Sequence, residues 1–81
     1  MVGTWRYSWG STSGADKTFT ADGRTYDSED GAGSWSLSGD RLTIVYDSRG
    51  LIMEGTLRGN TVTGTYRFGS GDSNPFTMTR R

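Results

Sequence analysis

The sequence predicts an all-β domain, an antiparallel up-and-down meander of about eight short strands closed into a small barrel. Three observations predict it. Pairs of Gly, Asp, Asn and Ser punctuate the 81 residues at the spacing of hairpin turns. No segment carries apolar residues at i, i+3, i+4 and i+7 over three turns, so no helix is expected. Side chains two apart in sequence, which share a face of a strand, gather the aromatic residues onto one side.

Strands are expected over Gly3–Trp9, Lys17–Ala21, Arg24–Ser28, Ser34–Ser38, Arg41–Tyr46, Leu51–Arg58, Thr61–Phe68 and Phe76–Arg80. Asp22-Gly23, Gly39-Asp40 and Gly59-Asn60 read as two-residue hairpin loops, where Gly and Asn tolerate positive φ. Each loop fixes a register. Phe19 should face Tyr26, Leu37 should face Leu42, and Leu57 should face Val62. All three pairs are apolar, as partners on a buried face should be. Asp47–Gly50 reads as a four-residue loop that sets Tyr46 opposite Leu51 and Ile44 opposite Met53.

Extending the alternation places Trp5, Tyr7, Trp9, Phe19, Tyr26, Trp35, Leu37, Leu42, Ile44, Tyr46, Leu51, Met53, Leu57, Val62, Tyr66, Phe68, Phe76 and Met78 on one inner face. All ten aromatic residues fall there. A sheet with one apolar face and no helix to cover it buries that face by curling on itself, which also removes its edges. Leu37–Thr43 recurs in pattern as Leu57–Thr63, and Tyr26-Asp27-Ser28 as Tyr46-Asp47-Ser48. Similar hairpins or a duplicated one both fit that echo.

Residues 1–81 form one domain on this reading, since the length leaves no room for a second core. Cysteine and histidine are both absent. That removes disulfides, thiol nucleophiles, His-based triads and the usual zinc sites, so no metal or cofactor is expected. Nine basic and nine acidic residues give zero net charge. Such a balance argues against a nucleic-acid partner. No apolar run is long enough for a membrane-spanning helix, and Met1–Gly10 lacks the basic start and apolar stretch of a secretory leader.

In a meander the C-terminal ends of the odd strands share one rim. There the longer loops are expected, Gly10–Asp16, Glu29–Gly33, Asp47–Gly50 and Gly69–Pro75, while tight turns close the other rim. Loops carried on a rigid frame are where binding usually sits, so the first rim is the expected mouth. The candidate ligand-binding residues are Tyr7, Trp9, Tyr26, Tyr46, Tyr66 and Phe68, with Tyr hydroxyls as rim hydrogen-bonders and Trp9 and Phe68 as stacking surfaces. The expected partner is a small amphipathic or apolar ligand. Tyr at a rim equally completes a core while its hydroxyl reaches water. Charge is expected to divide, with Asp16, Asp27, Glu29, Asp30, Asp47 and Asp72 at the mouth and Arg24, Arg41, Arg58, Arg80 and Arg81 toward the tight-turn end. Loop solvation explains such acids as well as a cation site does.

Gly3-Thr4-Trp5 opens the chain with a Gly-x-Trp, and Arg80 shares the parity of Phe76 and Met78 near its end. In these features the chain resembles the calycins, the superfamily of lipocalins, fatty-acid-binding proteins and avidins. The resemblance implies a calycin-like barrel with Trp5 and Arg80 as structural residues at the closed end, and small-ligand binding inside. The chain is about half the length of a typical lipocalin and carries no C-terminal helix.

Catalysis is not expected. Gly69-Ser-Gly71 lacks the Lys-Ser/Thr and following helix of a phosphate loop, and the parity of Glu54 puts it outside. The expected function is therefore a non-catalytic binding domain. The alternative is a structural or protein-interaction module, inhibitor-like modules included, acting through loops or through Val45 and Ile52, apolar cross-strand neighbours on the outer face. The domain is expected as a monomer or weak homo-oligomer.

Overall fold

The computed structural model describes residues 1–9, 12–27, 31–47, 50–69 and 71–81, and all of their side chains except those at 9, 12, 13 and 15. Eight strands form one closed antiparallel barrel in chain order: β1 Gly3–Trp9, β2 Thr12–Phe19, β3 Arg24–Asp27, β4 Gly31–Ser38, β5 Arg41–Tyr46, β6 Leu51–Arg58, β7 Thr61–Phe68 and β8 Asn74–Arg80. β8 closes on β1, with Trp5 beside Arg80 and Tyr7 beside Met78.

Two of the three predicted hairpins hold. Leu37 faces Leu42 and Leu57 faces Val62. Gly39 and Gly59 sit at φ +62° and +59°, the first central position of a II′ turn, whose twist matches that of the strands it joins. Ile44 faces Met53, as the Asp47–Gly50 loop requires.

The Asp22-Gly23 hairpin differs. Thr18 faces Tyr26 and Phe19 faces Thr25, a slip of one residue from the expected register. The loop has three residues, not two: the Thr20 amide bonds the Arg24 carbonyl, and the Gly23 amide bonds the Thr20 carbonyl. Gly23, at φ +85°, takes the left-handed position that follows a type I turn in such loops, and the Thr20 hydroxyl donates to the Asp22 carboxylate. Because side chains alternate, one residue of slip turns the whole of β3 over. Tyr26 therefore lies outside, 48% exposed, while Thr25 is buried.

Elsewhere parity carries through. Trp5, Tyr7, Phe19, Leu42, Ile44, Tyr46, Leu51, Met53, Val62, Phe76 and Met78 form the buried core, with Trp35, Leu37, Leu57 and Tyr66 packed against it. Glycine shapes one wall. Gly55 and Gly64 face each other across β6 and β7, flanked by Leu42 and Phe76 in the adjoining strands. A β-carbon on Gly64 would run into the Glu54 carbonyl oxygen and the Gly55 α-carbon. The backbones approach there as only glycine permits.

The two rims are less unlike than expected. β2 begins at Thr12 rather than Lys17, and β4 at Gly31 rather than Ser34. Asp16 and Gly31-Ala-Gly33 lie in turn-like sequence, yet their backbones are paired with β1, β3 and β5. Neighbouring strands, not local propensity, decide those segments. β1 absorbs the longer β2 with an irregularity between Arg6 and Ser8.

The expected separation of charge is also corrected. Asp16 lies within β2, where it accepts from Arg6 at 3.2 Å and Arg81 at 3.1 Å. Arg24 reaches Asp47 at 2.7 Å. That carboxylate, with a smaller contribution from the Tyr26 side chain, holds the Arg24 guanidinium above its ordinary value. What the Arg24 charge contributes is therefore fully present at neutrality and is lost as pH rises through that raised value. Glu29 and Asp30 fall outside the described residues.

Candidate functional site

At the closed end, the Arg80 guanidinium carbon stands 4.7 Å from the Trp5 ring centroid, and Arg80 also donates to the Val2 carbonyl at 2.9 Å. The Trp5 indole N–H donates to the Met1 carbonyl at 3.0 Å, so the N-terminal segment is drawn over the same end. Trp35 sits edge-on to Phe19 and donates to the Thr20 carbonyl at 3.0 Å. Trp5 and Arg80 thus stand together at this end of the barrel.

At the other end, Phe76, Tyr7, Tyr66 and Phe68 make a continuous aromatic run. Their centroids are separated by 5.6 Å, 6.3 Å and 6.2 Å, the first contact tilted and the other two edge-to-face. Quadrupole attraction favours such angles and fixes each ring against the next. The run grades outward, from buried Phe76 and Tyr7 through half-buried Tyr66 to Phe68, which is 45% exposed. Phe68 stands opposite buried Leu51.

Of the six predicted ligand-binding residues, Tyr7, Tyr66 and Phe68 belong to this run. Tyr46 is fully buried on the facing wall. Tyr26 does not join them, because the three-residue loop turns it outward. The Trp9 side chain lies outside what the structure describes.

Where Tyr26 was expected, the barrel holds charge. The register that expels Tyr26 sends Asp27 inward, with no solvent-exposed side-chain surface. Continuing the pairing of Thr18 with Tyr26 sets Lys17 opposite Asp27. Lys17 has the parity of Phe19 and is 2% exposed. Its ammonium donates to Asp27 Oδ2 at 2.8 Å. The Tyr46 hydroxyl donates to the same oxygen at 2.9 Å. The ammonium also lies 4.6 Å from the Tyr7 centroid and 4.7 Å from that of Tyr46, close enough for cation–π attraction to both.

Asp27 and Tyr46 end strands that run toward the mouth, so this cluster lies just beneath the opening. Both charges are out of water, and the short contact, the phenol and the two ring faces help to hold them. One strand step below Asp27, the buried Thr25 hydroxyl is without a hydrogen-bond partner, a cost of the same inversion.

The sequence reading missed Lys17 as an interior residue. Its parity with Phe19 and the opposite charge at Asp27 were the available signals, and the usual exposure of lysine argued against both. On the outer wall, Val45 faces Ile52 and is 44% exposed, and Glu54 pairs with Arg67 at 3.4 Å. Among the described residues no three His, Cys, Asp or Glu side chains converge as a metal site would need.

No protein-family profile, curated protein or solved structure matches this chain.

Proposed function

We propose that the chain is a non-catalytic binding module, calycin-like in its barrel, that takes a small amphipathic ligand at the mouth. One observation carries the reading: the aromatic run that begins in the core at Phe76 and Tyr7 emerges at half-exposed Phe68. A rigid, partly exposed ring braced from behind is a ready stacking surface, because little conformational entropy is lost on binding. Tyr66 extends that surface. The core fills the interior, so the ligand lies in a shallow cup at the rim and is not enclosed. The pairing of Trp5 with Arg80 at the opposite end supports the calycin comparison.

A flat apolar body on Phe68 and Tyr66, with its polar atoms left toward water, suits this surface. The dye 8-anilinonaphthalene-1-sulfonate has that shape and serves as a probe. It should bind with saturable fluorescence enhancement, and Phe68→Ala should weaken it about five-fold, the worth of one aromatic contact of roughly 1 kcal/mol. Absence of saturation, or equal affinity in the variant, would count against the mouth as the site.

A further inference from the structure

We propose that Asp27, Tyr7 and Tyr46 constitute a binding site for a primary alkylammonium group, and that Lys17 occupies it as the chain's own ligand. The elements of ammonium recognition are all present. A carboxylate oxygen receives a charge-assisted hydrogen bond at 2.8 Å, and two tyrosine faces stand at 4.6 Å and 4.7 Å from the nitrogen. The direct N–H donation selects a primary amine. A quaternary ammonium has no proton to give Asp27.

Each wall is held by something other than Lys17. The Tyr46 hydroxyl fixes the Asp27 carboxylate at 2.9 Å, and that bond in turn orients the Tyr46 ring. Tyr7 is braced by Phe76 at 5.6 Å and Tyr66 at 6.3 Å. Three members come from three different strands, β1, β3 and β5, and the closed barrel sets their spacing. The box is therefore built by the frame, and its occupant reaches in from β2. The site lies below the aromatic cup, so the inference stands or falls separately from binding at Phe68.

The occupant can be exchanged. Lys17→Ala deletes the atoms of n-propylammonium and keeps the β-carbon. In this variant n-propylammonium chloride should raise the melting temperature by about 6–11 °C at ten times its dissociation constant, and by a similar step for each further tenfold. Matched concentrations of n-propanol, sodium chloride and tetramethylammonium chloride should not. The wild-type protein, its box filled, should not respond. Adding Asp27→Asn to Lys17→Ala should abolish the effect.

If Lys17→Ala does not fold in plain buffer, dilution from urea into n-propylammonium makes the same measurement. Recovery of the native far-UV spectrum in the amine alone supports the site. Equal shifts with propanol or salt, an equal response in wild type, persistence without Asp27, or no recovery in any solution would each overturn it.

Discussion

Replacing Lys17 with methionine is expected to remove about 3–5 kcal/mol of stability, the cost of leaving one partner of a buried pair uncompensated. The loss is large on the scale of this chain, since a domain of 81 residues is stable by roughly 4–12 kcal/mol in all. Methionine keeps the length and the apolar stem, so the effect isolates the charge. Asp27 would lose the ammonium while its side chain stays closed to solvent. Removing both charges should reverse the loss. In Lys17→Met with Asp27→Leu, stability should return to that of the wild type or exceed it by about 1–4 kcal/mol. Urea unfolding at neutral pH, read at the midpoint with an unchanged slope, separates these outcomes. A single variant as stable as the wild type would mean that Lys17 is not held inside.

Gly64→Ala should be comparably severe, at about 3 kcal/mol or more, for a purely steric reason. The added methyl has nowhere to go. Its neighbours are the backbone of Glu54 and Gly55, not the flexible end of a side chain, so β6 and β7 would have to part. Those strands form the longest ladder in the barrel, from Leu51–Phe68 through Arg58–Thr61. At about 4–8 °C per kcal/mol for a domain of this size, the melting temperature should fall by about 12–24 °C. A fall of only a few degrees would show that the wall can open there at little cost.

Much of the barrel was legible because a period of two is hard to disguise. From Leu37 to Met78 the apolar residues alternate, Val45 and Ile52 excepted, and Gly39 and Gly59 mark tight two-residue turns. The aromatic run is visible for the same reason. β3 is where reading failed. Ala21-Asp22-Gly23 admits a two-residue and a three-residue loop, and β3 has only four residues with which to choose between them. The two-residue loop pairs Phe19 with Tyr26 and looks better by hydrophobicity. The three-residue loop pairs Lys17 with Asp27, and local pattern cannot weigh a buried ion pair against an exposed tyrosine. The choice depends on Tyr7 and Tyr46, which come from distant strands and supply the faces the ammonium needs. The start of β2 is hidden for a related reason: Gly14-Ala-Asp16 carries no strand signal of its own, and β1 pairs the residues on either side, Thr12, Ser13 and Asp16.

Lysine 17 is the only lysine in the chain, so its ammonium can be observed without assignment. In protein labelled with 15N-lysine, a proton-detected spectrum at neutral pH and room temperature should show an ammonium whose protons exchange slowly with water. Those protons should give Overhauser contacts to the rings of Tyr7 and Tyr46. An ammonium signal lost to rapid exchange, with no contact to either ring, would contradict the buried pair and the register of β3 on which it stands.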